Sequence, residues 1–328
     1  MTPAQPAPDT EPAAFLGEIA PRRAIAVAGR DRASYLQGLL TNDIVALTPG
    51  TGCYAAWLTA QGRMLTDLVV LESGDMILLD VPAAECAATF ARLDQFLFSE
   101  DVQLADLSGS LLAVWIHGID AGALLARLSD GCKGADSWPQ HRNARIDLGG
   151  QSVVVARRDQ LGVPGFCLYV GSEAGEALKT MLAEAGAATV DQAVLEAARI
   201  AAGYPVFGVD MTHDTIPLEA GVESQAISFT KGCYVGQEVI IRVLHRGQGR
   251  VAKKLVALRI ENGVPAREAR VYRGDRDIGW VTSAARSSRL GPIALAYVHR
   301  DFLEPGTLVD VAVDGDRCPA VVTPTPIG

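Results

Sequence analysis

The sequence predicts an α+β fold in which a large mixed body precedes a smaller all-β domain. The 328 residues are about twice a typical domain length, so more than one domain is expected. Strand-like and helix-like segments follow the order β-α-β-β-β-α twice in the N-terminal part of the chain. After Lys254 short strand-like runs are separated by Gly, Pro, Asn and Asp, which is typical of a small antiparallel barrel.

The first unit begins with a strand-like run, followed by a helix that Asp31 caps and whose apolar residues share one face. The remaining segments are predicted at residues 53–58, 64–71 and 76–81 as strands and at 83–98 as a helix. The second unit has strands at 111–117 and 166–170, helices at 121–128 and 173–185, and a hairpin around Gly149 and Gly150. The pattern thus predicts a tail at residues 1–14, a body at 15–246 and a barrel at 247–328.

Composition excludes several classes of protein. The longest apolar runs span only a few residues, whereas a membrane-spanning helix needs roughly 20. The first twelve residues contain four prolines and no apolar core, which indicates a flexible tail and not a secretion signal. With 29 basic and 38 acidic side chains, the net charge of −9 opposes broad nucleic-acid binding. We therefore expect a soluble cytoplasmic protein.

The six cysteines are too far apart for a CxxC pair or a zinc-finger arrangement. Without an export signal they are expected to be free thiols in a reducing compartment. A cysteine that has a function is then expected to act alone.

Cys233 lies in the most distinctive segment, ISFTKGCYVGQE at residues 227–238. Gly232 and Gly236 bracket the cysteine and allow a close approach of the backbone to a ligand. Lys231 is near enough in sequence to stabilise a thiolate. The alternative is structural: a tight turn with a half-buried cysteine, followed by a basic strand.

The eight residues KGCYVGQE resemble the signature of the YgfZ-type folate-binding proteins, which are iron–sulfur cluster assembly and repair factors related in fold to the T protein of the glycine cleavage system. Further blocks that resemble this wider family lie at residues 35–44, 62–70, 195–210, 216–224 and 278–298. The resemblance implies two interleaved α+β domains around a central opening, with a C-terminal antiparallel β-barrel.

Two departures from the T-protein pattern favour the cysteine-motif branch. Residues 81–88 correspond to the segment in which the T protein has its catalytic Asp, and here this segment contains no Asp. Ala201 stands where the T protein has a Glu that contacts the pterin. The resemblance therefore implies a tetrahydrofolate-binding factor for iron–sulfur cluster assembly or repair, and not a classical aminomethyltransferase. Cys233 would lie at the mouth of the folate cavity. Since one thiolate cannot hold a cluster alone, it would share one with iron–sulfur carrier proteins, client enzymes or small thiols, or would react covalently as a catalytic residue.

The same resemblance suggests which residues contact folate. Aromatic side chains would contact its rings, arginines its carboxylates, and polar groups at the end of the first helix would face the opening. The candidates are Tyr54, Tyr204 and Tyr234, Arg242 and Arg246, Asn42 and Asp43, and Lys231, Gln237 and Glu238 in the motif. Each type has a structural alternative: aromatic core packing, a helix-terminating turn, or support of the motif turn.

Two other functions remain open at this point. The first is a tetrahydrofolate-dependent aminomethyltransferase of the T-protein type. The second is a scaffold that binds another anionic ligand or a modified tRNA through the basic residues of the 231–254 segment, which has six Lys and Arg against one acid.

Overall fold

The computed structural model describes residues 12–245 and 250–327, which form two sheets, a linking segment and a closed barrel. The first sheet has the antiparallel order β3-β4-β5-β2-β6. Its strands are β2 (Arg22–Ala28), β3 (Thr51–Leu58), β4 (Met64–Glu72), β5 (Met76–Pro82) and β6 (Gln103–Asp106). Helices α1 (Arg32–Leu39) and α2 (Cys86–Gln95) pack their apolar side chains against one face of this sheet.

The second sheet has the order β11-β1-β7-β10-β9-β8, and helices α3 (Ala121–Leu128) and α4 (Gly175–Glu184) contribute to its outer core. Its strands are β1 (Phe15–Leu16), β7 (Leu111–His117), β8 (Asn143–Leu148), β9 (Gln151–Arg157), β10 (Gly165–Gly171) and β11 (Ala188–Thr189). Strand β1 precedes the whole first sheet in the chain yet pairs with β7 and β11. The two α+β domains are therefore interleaved, as the sequence predicted.

A linking segment of short helices leads from the second sheet to the barrel. It contains α5 (Gln192–Ala202), α6 (Pro217–Ala220), α7 (Glu223–Ala226) and α8 (Gln237–His245). Helix α8 replaces the basic strand considered after the cysteine motif, because Ile240, Val243 and Leu244 have helical spacing and join the core between the two sheets.

The barrel closes in the order β12-β15-β14-β13-β16-β17. Its strands are β12 (Lys253–Ile260), β13 (Arg270–Arg273), β14 (Arg276–Ser287), β15 (Gly291–His299), β16 (Leu308–Val313) and β17 (Asp316–Thr323). The predicted fold class, two interleaved α+β domains plus a C-terminal antiparallel barrel, is confirmed.

Two sequence-based expectations fall partly outside the described residues. Of the predicted tail at 1–14, residues 1–11 are outside the described part of the chain. Residues 246–249, which include Arg246 and the predicted start of the barrel domain, are also outside it. Among the described residues, no helix is both long enough and apolar enough to cross a membrane.

Candidate functional site

A central cavity of about 520 Å³ opens where the two sheets, the linking segment and the barrel meet. Each of these parts contributes to its wall: Tyr54 comes from β3, His141 and Gln160 from loops of the second domain, Tyr204 from the turn after α5, and Lys254 from β12. Ligand pockets of proteins have volumes of roughly 300–1,000 Å³. The central cavity is therefore large enough for a small molecule with several rings.

Tyr54 forms the wall on the side of the first sheet. Its side chain is 7% exposed and faces the core between the two sheets, as the alternation along β3 requires. The Tyr54 hydroxyl donates a hydrogen bond of 3.0 Å to Oδ2 of Asp67. Burial, together with the charge of Asp67, raises the pKa of Tyr54, so the phenol stays protonated and keeps donating.

Behind Tyr54 lies a buried charge network that joins the two sheets. Arg22 of β2 pairs with Asp67 of β4 (Nη1–Oδ1 3.2 Å) and with Asp80 of β5. From the second domain, Arg158 Nη1 lies 2.9 Å from Asp80 Oδ2, and the Tyr169 hydroxyl also donates to Asp80. Burial alone would raise the pKa of Asp80, but the two guanidiniums outweigh it and hold that pKa below its usual value.

Several donors beside this network have no partner among the described residues. The Arg158 guanidinium lies 5.1 Å above the Trp115 ring, and both Arg158 Nη2 and Trp115 Nε1 are buried without a hydrogen bond. His141 Nδ1, which donates or accepts depending on the tautomer, is also buried without a partner. Burial and the nearby Arg158 charge lower the pKa of His141 to about 3, so its ring is neutral at pH 7. Of these three residues, His141 is the one that lines the central cavity.

Tyr204 is fixed by a second set of polar contacts. Its hydroxyl accepts a hydrogen bond of 3.0 Å from Gln160 Nε2, and its carbonyl accepts one of 2.8 Å from Arg199 Nη1. The fully buried Arg199 also pairs with Asp210 at 2.7 Å and donates to the Ser283 hydroxyl of β14 at 2.7 Å. Arg199 therefore ties the cavity wall to the barrel.

Lys231 anchors the cysteine loop, which we define as residues 228–236. Its ammonium donates to the carbonyls of Gln37, Leu40 and Asn42 at 2.6, 2.7 and 2.8 Å, at the end of α1. All three of its N–H groups are thereby used. Burial lowers the pKa of Lys231 to about 8. The Tyr234 ring lies 5.4 Å from this ammonium and is buried in the core.

Cys233 is exposed at the tip of the cysteine loop and is not among the residues that line the central cavity. Of the two bracketing glycines, only Gly236 is required by the backbone: its φ is +85°, and a Cβ there would lie 2.5 Å from the Thr59 carbonyl oxygen. A Cβ on Gly232 would meet open space. The loop thus presents the thiol to solvent from a tightly packed base.

The other candidate residues support turns or lie on the surface. Asn42 Nδ2 donates to the carbonyls of Tyr54 and Gln225, both at 2.8 Å, and Asp43 Oδ1 accepts from Gln37 Nε2 at 3.0 Å. Both side chains therefore order the turn after α1. The remaining described candidates lie on α8, half-buried or exposed and outside the cavity lining: Gln237, Glu238 and Arg242.

The sequence reasoning missed the buried charge network. A signal was present, because Asp67 and Asp80 interrupt the apolar runs MLTDLVVL and MILLDV, in which a charge is unexpected. What the sequence alone does not reveal is that the partners of Asp80 come from strand β2 and from the loop after β9.

Comparison with known proteins agrees with this geometry. Residues 9–231 match the model of the GCVT N-terminal domain, and residues 253–327 match that of the glycine cleavage T-protein C-terminal barrel domain. The first matched range corresponds to the α+β body of the structure, and the second corresponds to the barrel. The chain belongs to the glycine cleavage T-protein family.

Individual relatives extend this result. An aminomethyltransferase of Listeria monocytogenes serotype 4a is 31% identical over 306 residues, which are 92% of this chain and 83% of the relative. An aminomethyltransferase of Bacillus subtilis is 28% identical over 321 residues, covering 96% and 87% of the two chains. The crystal structure of glycine cleavage system aminomethyltransferase T from Bartonella henselae has the same fold, with a TM-score of 0.85, 23% identity and coverage of 97% and 87%.

These matches correct the main functional expectation from the sequence. An iron–sulfur assembly or repair factor was expected from the cysteine motif, but the curated relatives that cover nearly the whole chain are aminomethyltransferases. The wider family assignment, made from the same sequence blocks, is confirmed.

Proposed function

We propose that this protein is a tetrahydrofolate-dependent aminomethyltransferase that binds tetrahydrofolate in the central cavity. The observation that carries the proposal is the cavity itself, whose wall combines the aromatic rings of Tyr54 and Tyr204 with the polar side chains of His141 and Gln160. The relatives named as aminomethyltransferases support the reaction type.

The residues of the cavity fit the chemistry of a reduced folate. A flat pterin ring needs an aromatic or apolar wall, which Tyr54 and Tyr204 supply. The ring also carries polar atoms, and the polar side chains that line the cavity include His141, Gln160 and Lys254.

The bound folate supplies the nitrogen that accepts the one-carbon unit. The chain's own contribution is to bind and orient it, since the carboxylate in the cavity lining is already engaged. This is Asp159, which has both oxygens on Arg157 at 2.5 and 3.1 Å. Glu85, the carboxylate within residues 81–88, is outside the cavity lining and lies 3.3 Å from His213 Nε2. Rate enhancement from positioning is therefore expected to exceed that from acid–base help.

The proposal is tested by ammonia release from an aminomethylated carrier protein. We expect release that depends on tetrahydrofolate, at a rate about 10²–10⁴-fold below that of a relative with a positioned carboxylate, because general acid–base catalysis typically contributes that factor. Tyr204→Ala should reduce the rate, whereas Arg242→Ala, on the exposed face of α8, serves as the matched control. Ammonia release that is the same with and without tetrahydrofolate would contradict the proposal.

Membership of the YgfZ branch within the family stays a prediction that rests on KGCYVGQE, on the missing Asp in residues 81–88 and on Ala201. We further propose that the motif thiol acts apart from folate binding, because Cys233 is exposed and is not among the residues that line the central cavity. Iodoacetamide should modify Cys233 before the buried Cys86, Cys132 and Cys167, and should leave tetrahydrofolate affinity unchanged. The tRNA-binding alternative likewise stays a prediction.

A further inference from the structure

A loop of the first α+β domain exposes two aromatic side chains. Residues 96–101, which we call the aromatic knob, follow α2 and precede β6. Within the knob, the side chains of Phe96 and Phe98 are 44% and 84% exposed. The loop is ordered, because Glu100 Oε2 accepts hydrogen bonds from the backbone N–H groups of Phe98 and Ser99 at 2.9 and 3.0 Å. Two exposed phenylalanines in one ordered loop form an apolar patch of the kind that marks protein interaction sites.

The aromatic knob also carries negative charge. Asp94, near the end of α2, and Glu100 are both exposed, and neither has an ion-pair partner within residues 12–245 and 250–327. Asp101, the third carboxylate of this region, pairs with Arg30 at 2.7 Å. The two phenylalanines are therefore flanked by two carboxylates that no described cation pairs.

A second cavity, of about 850 Å³ and lined by α5 and the β14–β15 turn, has the complementary properties. Its lining is mostly small and apolar, and includes Ala193, Val194, Ala197, Ala198, Ala201 and Leu290. Val194 is 42% exposed, so part of this apolar lining is open to solvent. The lining also contains Arg286 and Arg289, which are exposed and have no ion-pair partner in the described part of the chain, against the single acid Asp191. The second cavity is thus an apolar space with a net positive charge.

We propose that the aromatic knob of one copy of this chain docks into the second cavity of another copy. Phe98 then lies among the small apolar side chains of α5. The carboxylates of Asp94 and Glu100 lie beside the two arginines, and a guanidinium binds a carboxylate through two parallel hydrogen bonds. A second copy is the occupant because this one chain presents both halves of the contact: the knob is apolar and anionic, and the second cavity is apolar and cationic.

The proposed contact joins two different surfaces, so it is heterologous. Each copy uses its aromatic knob on one neighbour and its second cavity on another, which produces a ring or an open chain of copies. The ordered loop lowers the entropy cost of docking, but the contact is small, so we expect a reversible association.

The test is sedimentation velocity of the full chain between about 1 and 100 µM. The average mass of the wild-type chain should rise about twofold across this range, because small interfaces bind weakly. Phe98→Ser removes the knob contact and Arg286→Glu/Arg289→Glu removes the cavity contact, so each variant alone should stay monomeric. A 1:1 mixture of the two should form a dimer and nothing larger, since one intact knob then meets one intact cavity. Phe229→Ser removes another exposed phenylalanine, outside the knob, and should associate as the wild type does.

Three outcomes would overturn the inference. A wild-type chain that stays monomeric would leave the aromatic knob and the second cavity to other partners. Association that persists in Phe98→Ser would place the contact elsewhere on the chain. A mixture of the two variants that stays monomeric would exclude the insertion of a knob into a cavity. Thermal unfolding of each variant shows whether the fold is retained, and none of these results depends on folate binding.

Discussion

The wall of the central cavity and the cysteine loop differ in how the chain assembles them. Behind Tyr54 of the wall, a buried network joins Arg22, Asp80 and Arg158, which are far apart in the sequence and meet only because two sheets pack face to face. The cysteine loop is one contiguous segment, held by the ammonium of Lys231 and exposed at Cys233. The difference teaches that the most recognisable thiol of the sequence and the lining of the central cavity are separate places in this molecule.

Asp80→Asn should have the largest effect on stability. The substitution leaves two buried guanidiniums without their shared anion, and breaking a buried ion pair costs about 3–5 kcal/mol. Urea unfolding would measure the loss. Asp75→Asn is the matched control, because the Asp75–Arg145 pair is largely exposed and such pairs contribute about 0–1 kcal/mol. Equal losses in the two variants would remove the distinction between the wall and the surface.

Lys231→Met should lower the free energy of unfolding by about 1.5–3 kcal/mol, the range for hydrogen bonds to a charged group. The three carbonyls at the end of α1 would lose their donor, while the methionine keeps most of the packing against Tyr234. Denaturant unfolding gives the change, and tetrahydrofolate affinity should stay within about twofold of wild type if Lys231 only anchors the loop. A large loss of affinity without a loss of stability would instead place Lys231 in the folate site.

The stability of the folded chain should depend on pH through His117 of β7. This ring is fully buried beside Trp115, at a ring-centroid distance of 5.8 Å, and burial lowers its pKa to about 4. Because the unfolded chain binds the proton near pH 6.5 and the folded chain does not, stability is fully present above pH 6.5 and falls as the pH drops towards 4.

At pH 5.5 this loss is about 1.4 kcal/mol, since one pH unit below the unfolded pKa corresponds to that energy. Unfolding curves recorded between pH 4 and 8 would show it, and His117→Gln should flatten the profile. His213→Gln, which removes an exposed imidazole, should not. An equally steep profile in His117→Gln would show that other groups cause the acid lability.

The sequence predicted the order of the elements well, because apolar periodicity reports each segment locally. It did not predict the buried pair of Asp80 and Arg158 behind the cavity wall, because this pairing depends on how two sheets face each other, which no local pattern encodes. The candidate residues chosen from the sequence have two different roles in the structure. Tyr54 and Tyr204 do line the cavity, but Lys231 and Asn42 use their polar groups to hold turns, a structural alternative that residue type alone left equally open.

Cys233→Ser should have the smallest effect on stability. An exposed side chain at the loop tip packs little, so the free energy of unfolding should change by less than about 0.5 kcal/mol. Gly236→Ala in the same loop is the informative contrast, because its φ of +85° and the nearby Thr59 carbonyl exclude a Cβ. Chemical unfolding of both variants tests whether the base of the loop, and not its thiol, determines its stability.

The central claim, that folate binds at the cavity wall and not at the cysteine loop, is tested most directly by titrating tetrahydrofolate into three proteins by calorimetry. Wild type and Cys233→Ser should bind with the same affinity. Tyr204→Ala should bind about tenfold or more weakly, because it loses an aromatic wall contact of the cavity. Unchanged binding in Tyr204→Ala together with weakened binding in Cys233→Ser would contradict the claim.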